Sequence, residues 1–417
     1  MFDVVLRLLK ASWLAGLGMP RRQFLLVFTL LFNSFTWYYV ILFMMESTHY
    51  FLDAFRAVFY ISTIGAGFAG VMLSQRVRQV RLLYLWMIVG TVASLPLAWT
   101  NIAPNAYLSM MFIFAGVSFG VGMPSCLAYL ANGTSVENRG KTSALIFAFV
   151  NLGAFPIGIF LSTTSLAMAS SVLTLWRAAG LVVFASLKPS DQVSVPRQGS
   201  RLTSVFHDRS FVLYLIPWLM FSIIDALEKA LFKDFLTAEY NVLAFAVQPV
   251  VAGLSMLIGG LLSDRVGRKR VVMYGFVSLG VAYAILGIAP TLPLAWNIYL
   301  IVDAIAAGIL WIVFIMILWG DLSAQDSREK YYVIGSLPFL ATAAIPLSLV
   351  PLSEVLQATT PAFSLASFFL FLAVLPLMYA PETLPQKKME LRRLRNYMDQ
   401  AKKLAGKYTD KKKESEK

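Results

Sequence analysis

Asp225 and Asp303 stand where a charge demands a chemical reason. Asp303 is the only charged residue between Val271 and Gly320, and Asp225 ends a charge-free run that begins at Phe211. An ionisable group in hydrocarbon is costly unless it faces a cavity or finds a partner. Such a carboxyl can hold a cationic group of a substrate, or load and release a proton, because withdrawal from water disfavours its charged form. Glu228, three residues after Asp225, extends the acidic set. Structural roles stand beside these: Asp225 can pair with Lys229 one turn on, and Asp303 can hydrogen-bond a neighbouring helix.

Neutral groups in other apolar runs suit a solute cavity. Asn33 and Trp37 are four apart and share a helix face; Asn151 and Gln248 are further candidates. Arg177, the lone cation between Thr142 and Leu187, is expected to snorkel to the headgroups in preference to binding an anion.

Other chemistries fail on particular residues. Arg139-Gly-Lys-Thr142 looks like the end of a phosphate-binding loop, but Ser135 stands where that loop requires glycine. The two histidines, His49 and His207, form no zinc motif, and the single Cys126 allows neither an intrachain disulfide nor a thiolate cage. No catalytic residue, cofactor or metal is therefore expected, and the chain does not read as an enzyme.

The elements that must position these residues follow from how scarce charge is. Of 417 residues 58% are hydrophobic and only 14% charged, against roughly 25% charged in soluble domains; this excludes a cytosolic enzyme and a disordered scaffold. No charge falls between Arg22 and Glu46, a run long enough to cross ~30 Å of hydrocarbon at about 1.5 Å per residue. A second run lies between Arg56 and Arg76, where Ile64-Gly-Ala-Gly-Phe-Ala-Gly70 invites close helix approach. The run from Leu82 to Val136 is split by the turn signal Thr100-Asn-Ile-Ala-Pro-Asn105, and that from Thr142 to Leu187 by Ser162-Thr-Thr-Ser165. The second half repeats the layout: single spans at about 211–234 and 243–262, then long runs over 271–320, split at Pro290-Thr-Leu-Pro293, and 331–381, split near Thr359. Twelve spans are predicted, in an all-α integral membrane fold of two related six-helix bundles.

All but four of the 35 basic residues fall in the segments that alternate to one side of this layout; the four are Arg56, Arg177, Lys229 and Lys233. The net charge of +13 thus reports orientation, with both termini cytoplasmic, and attraction to an anionic inner leaflet. No nucleic-acid partner is implied. The predicted organisation is an amphipathic segment over 1–19 in place of a cleavable signal, bundles over 20–187 and 210–381, a cytoplasmic linker over 188–209, and a basic tail over 382–417. Helix bending, or static packing, is expected at Pro124, Pro156, Pro217, Pro249 and Pro346.

An internal repeat supports the two halves. Ser74-Gln-Arg-Val-Arg-Gln-Val-Arg81 precedes Ser263-Asp-Arg-Val-Gly-Arg-Lys-Arg270 by 189 positions, and the same offset carries Glu137-Asn-Arg-Gly-Lys141 onto Asp326-Ser-Arg-Glu-Lys330. Parallel repeats of six helices suit two bundles rocking about a midplane site.

Gly260-Leu-Leu-Ser-Asp-Arg-Val-Gly-Arg-Lys-Arg270 resembles the signature loop of the major facilitator superfamily. In it Gly260 allows close packing, Asp264 can pair with cations and cap the next helix, and Gly267 permits a tight turn. Tyr129-Leu-Ala-Asn-Gly-Thr-Ser-Val-Glu-Asn-Arg-Gly140, Trp319-Gly-Asp-Leu-Ser-Ala-Gln-Asp-Ser-Arg328 and Pro381-Glu-Thr383 are similar to cytoplasmic motifs of its sugar-porter branch. The resemblance implies a cytoplasmic gate network of Asp264, Arg265, Gly267, Arg268, Asp321, Arg328 and Glu382, with Arg76 and Arg139 from the first half. Gln75, Arg78 and Asn132 replace the expected Asp, Gly and Glu of the first copy, which shifts the network toward the second half. Phe147 stands where sugar porters place a ligand-binding Gln, so a sugar is weakly supported. Helices 7 and 10, which carry Asp225 and Asp303, line the cavity in that fold. The resemblance implies a plasma-membrane secondary transporter, working as a monomer by alternating access on a small organic solute, with a proton coupled through these acids. An uncoupled facilitator, or a non-transporting sensor on the same scaffold, are the alternatives.

Overall fold

The computed structural model describes residues 18–47, 53–96, 105–191, 202–231, 238–324, 327–344 and 360–385, with 390, 394 and 398. Nearly all of the expected amphipathic segment, the centre of the linker, Pro346, Lys233 and most of the basic tail lie outside the described residues.

Among the described residues the chain is helical throughout. In order come α1 (Arg21–Ser47), α2 (Asp53–Ser74), α3 (Gln79–Ser94), α4 (Asn105–Gly133), α5 (Arg139–Ser162), α6 (Leu166–Ser186), α7 (Arg209–Leu231), α8 (Ala238–Val266), α9 (Arg268–Ile288), α10 (Pro293–Trp311), α11 (Arg328–Ala344) and α12 (Thr360–Leu372). A short 3-10 turn, Leu202–His207, precedes α7, and a further turn, Val374–Tyr379, follows α12. Among the described residues ten helices are long and apolar enough to cross a membrane; α3 and α11, with 16 and 17 residues, are shorter.

The boundaries have local causes. Asp208 Oδ1 accepts the first amides of α7, from Ser210 at 2.9 Å and Phe211 at 3.4 Å. Ser165 Oγ accepts from Met168 N at 3.3 Å at the start of α6. Pro293 opens α10, where a missing N–H removes nothing. Gly267 turns α8 into α9 at φ 114°, a conformation other residues rarely adopt.

Pro124, Pro156, Pro217 and Pro249 all lie inside unbroken helices, as does Pro338 in α11, which was not among the expected bending points. The change of winding falls instead in α10. That helix runs directly into a π-helical segment, Ile312–Leu318, and a last turn, Trp319–Leu322. All seven π-helical residues are buried, and none is proline or glycine.

Packing repeats with the sequence. α1 packs on α5 and α6, α2 on α4, and α3 on α4 and α6; six helices later α7 packs on α11 and α12, α8 on α10, and α9 on α10 and α12. Between these groups the main contacts are α2 with α11 and α5 with α8, which exchange under the same shift of six. At the α5–α8 contact Gly260 and Gly140 face each other so closely that a Cβ on Gly260 would meet the Gly140 carbonyl and Ala144 Cβ. This is the close approach expected of Gly260. The small-residue run of α2 serves likewise, with Gly70 against the Val121 backbone of α4.

Candidate functional site

Two polar clusters sit at opposite ends of the second set of helices. The first joins both sets at the end where the basic loops gather. Arg139, the first residue of α5, pairs with Asp321, and Arg268, the first residue of α9, donates through Nε to the other Asp321 oxygen at 3.1 Å. Arg268 also pairs with Asp264 at 2.6 Å and donates to the Val136 carbonyl. The four side chains are almost completely buried, and two positive charges match two negative ones. A buried ionic cluster of this kind is tolerated because each charge has both an opposite partner and further hydrogen bonds.

Asp264 pairs with a cation, Arg268, as expected, but caps a different helix from the one expected. Its carboxylate caps α5 of the other half, accepting from Gly140 N at 3.1 Å and Lys141 N at 2.7 Å. The amides of α9 are capped by Glu382, which accepts from Arg268 N at 2.8 Å and Lys269 N at 3.2 Å. The reason is geometric: Asp264 belongs to the last turn of α8, on the face that the Gly140–Gly260 contact brings against α5. Carboxylates at helix N-termini are favourably placed, so each cap strengthens a contact between distant parts of the chain.

Arg328 donates to Asn132 Oδ1, and Thr383 Oγ1 donates to Asp321 at 3.3 Å. Arg265 and Arg76 are exposed and stand outside the cluster, contrary to expectation; Arg265 is one residue past Asp264 and so points about 100° away around the helix. Glu329 and Lys330, both 2% exposed, are buried charges that the sequence reading missed.

The second cluster gathers the acids. Asp303 is 6% exposed, and Gln248 Nε2 of α8 donates to its Oδ2 at 2.9 Å. Asp225 of α7 is half-buried and within electrostatic reach of Asp303. Glu228 accepts from Tyr283 Oη of α9 at 3.3 Å, and Tyr283 Oη in turn accepts from Tyr299 Oη of α10 at 3.1 Å. Tyr240 of α8 packs edge-on against Trp296 of α10 at 5.8 Å. Thus Gln248 holds Asp303, the Tyr299–Tyr283 pair holds Glu228, and Asp225 lies within electrostatic reach of Asp303; the tyrosines were not selected by sequence reasoning. One signal was available: Tyr299 lies four residues before Asp303, hence on its face. The side chain of Lys229 lies outside the described ones.

The remaining candidates lie elsewhere. Asn151 Nδ2 donates to Phe147 O at 3.0 Å and to Met256 Sδ at 3.2 Å, bridging α5 and α8. Asn33 and Trp37 do share a face, but that face meets Arg177. The Asn33 Nδ2 donates to the Trp176 carbonyl, its Oδ1 accepts from Arg177 at 3.3 Å, and Trp37 Nε1 donates to Ser94 Oγ at 2.7 Å.

Snorkelling of Arg177 is overturned. The residue is 1% exposed, and its guanidinium lies between the indoles of Trp37 and Trp86, 5.4 and 5.3 Å from the ring centroids. It donates to Ser34 Oγ and, at 3.4 Å, to the Trp86 carbonyl. Two aromatic faces and these acceptors hold a desolvated cation in place, inside the packing of α1, α3 and α6.

No protein-family model and no curated protein sequence matches the chain. Solved structures do. The human organic anion transporter MFSD10 (TETRAN) superposes with a TM-score of 0.68 at 17% identity, over 86% of this chain and 99% of that one. The proton:xylose symporter XylE, solved with 6-bromo-6-deoxy-D-glucose, gives 0.69 at 14% identity, over 87% and 96%. Likeness at this identity speaks for fold, and the second of these structures is described as a major facilitator superfamily protein. The chain is a multi-pass membrane protein with the major facilitator fold.

Proposed function

We propose that this chain is a secondary transporter of a small organic solute, working by alternating access and coupled to protons through Asp303 and Asp225. In this reading twelve spans form two bundles, over 20–187 and 210–381, joined by the linker over 188–209. Both termini and the basic loops face the cytoplasm of a cell with this protein in its plasma membrane. The exchange of α2–α11 for α5–α8 under a shift of six helices supports the two-bundle arrangement. The cluster of Arg139, Arg268, Asp264 and Asp321 then acts as a cytoplasmic lock, and MFSD10 and XylE, carriers of organic anions and of xylose with protons, support a small organic cargo.

The observation that carries coupling is the buried Asp303 carboxyl in the middle of α10, to which Gln248 of α8 donates at 2.9 Å, with Asp225 of α7 within electrostatic reach. Withdrawal of a carboxyl from water disfavours its charged form, which suits it to carry a proton. A sugar is disfavoured: Phe147 packs against Phe35 and Trp311, both at 5.0 Å, and Trp311 reaches Tyr39 at 6.0 Å. This aromatic bridge between halves suits a cargo with an apolar face.

The test begins with a thermal-shift screen of small metabolites and drugs to find a stabilising solute. Uptake of that solute into proteoliposomes is then driven by an imposed pH gradient. Asp303→Asn and Asp225→Asn are expected each to abolish uphill accumulation while leaving equilibration along the solute gradient. Accumulation intact in both variants would sink the coupling assignment; equilibration without accumulation in the unsubstituted protein would identify a facilitator.

A further inference from the structure

We propose that Arg328 holds a small monovalent anion at the end of the molecule where the ionic lock lies, a site that goes beyond the transport reading and does not depend on what the chain carries. The internal repeat leads there. Its offset of 189 carries Arg139 onto Arg328 and Asn132 onto Asp321, and the structure keeps the pairing on both sides. Arg139 of α5 pairs with Asp321, and Arg328, the first residue of α11, donates to Asn132 Oδ1 near the end of α4. The two sides are built alike, but only one of them has a carboxylate.

The two guanidiniums differ further. Arg139 uses every nitrogen: besides the Asp321 pair on Nη1, its Nε donates to Thr134 Oγ1 at 3.2 Å and its Nη2 to the Ala131 carbonyl at 2.9 Å. The counterparts of Thr134 and Ala131 at the same offset are Ser323 and Gly320. These bond to each other instead, Ser323 Oγ donating to the Gly320 carbonyl at 3.3 Å. Arg328 is thus left without a protein acceptor on its Nε–Nη2 edge. Its Nε is buried with no hydrogen-bond partner, and so is the Nδ2 of Asn132. Among the described residues Arg328 makes no ion pair, Asp321 being held by Arg139, Arg268 and Thr383.

A buried donor left unpaired is costly, and a cation withdrawn from water without a counter-charge more so. Water satisfies hydrogen bonds but brings no charge. The Nε–Nη2 edge presents two parallel N–H donors, the fork that grips a carboxylate or another small anion. One unmatched positive charge selects a monovalent ion, and an edge whose Nε is buried admits only a small one. Arg328 and Asn132 are themselves half-buried, which leaves the edge a way in from outside. An anion held there gives the Asn132 side the negative charge that Asp321 gives the other, and strengthens the contact between α4 and α11.

The experiment follows the unfolding midpoint of the full-length protein in detergent as chloride or acetate replaces isethionate, a bulkier sulfonate, at constant ionic strength. The midpoint is expected to rise saturably, by about 2 °C or more, as for any ligand that binds only the folded state. Asn132→Asp sets the missing carboxylate beside Arg328 and should raise the half-saturating anion concentration by about tenfold or more. Arg328→Gln should abolish the rise. A midpoint that ignores both anions in the unsubstituted protein overturns the site. So does a rise that is unaltered in Asn132→Asp, since it would come from an ion held elsewhere or from salt acting on the solvent. That variant keeps nearly the same shape, so it decides the matter even if Arg328→Gln fails to fold.

Discussion

Arg177 shows how much a single residue's role depends on partners that its own helix does not reveal. Its run of sequence holds no other charge, and a lone cation there reads as one that escapes to the headgroups. Trp37 and Trp86, from two other helices, make the interior an acceptable place for it. A flat guanidinium can stack on both indoles while reaching Ser34, Asn33 and the Trp86 carbonyl; an ammonium cannot. Arg177→Lys should therefore destabilise the protein by about 2 kcal/mol, read as a lower unfolding midpoint in detergent, and an unchanged midpoint would show the stacking to be idle. Asp303 was more legible, because an acid isolated in an apolar run stands out. The tyrosines that hold Glu228 were not, since a tyrosine among phenylalanines and leucines looks like packing until its hydroxyl is seen to have a partner.

At the scale of elements, charge-free runs and turn residues located the helices well, and Gly267 marked the α8–α9 turn. What local sequence does not specify is which distant element a side chain serves. Asp264 lies at the right place to cap α9, yet caps α5, because Gly140 and Gly260 bring those helices into backbone contact. Replacing Gly260 by valine should force α5 and α8 apart at this end. With Cys126 replaced by alanine and a cysteine put at the buried Thr142, maleimide labelling should quicken by about tenfold, the equivalent of roughly 1.4 kcal/mol in an opening equilibrium. Labelling no faster than in the Gly260 parent would mean that the contact closes nothing.

Across the whole molecule, Asp321 is the point where both halves converge: it pairs with Arg139 from the first and Arg268 from the second. Asp321→Asn leaves Arg139 buried without a carboxylate partner and Arg268 with Asp264 alone, a loss of about 3–5 kcal/mol if the cluster stays closed. The expected outcome is separation of the two sides. Spin labels at cysteines replacing Glu137 and Ala324, in the same background lacking Cys126, should report a longer distance than in the parent; an unaltered distance would show that packing alone holds this end shut. Asp321 and Asp303 belong to one continuous helical run, 18 residues apart, which is about five turns of ordinary α-helix. Uniform winding would put them on a single face. The seven π-helical residues between them are wound more loosely and break that alignment, so tightening them into α-helix would swing one carboxylate about the axis relative to the other. Torsion within a single rod thereby connects its two ends: any rewinding of Ile312–Leu318 turns Asp321 and Asp303 with respect to each other, without any need for the rod to bend.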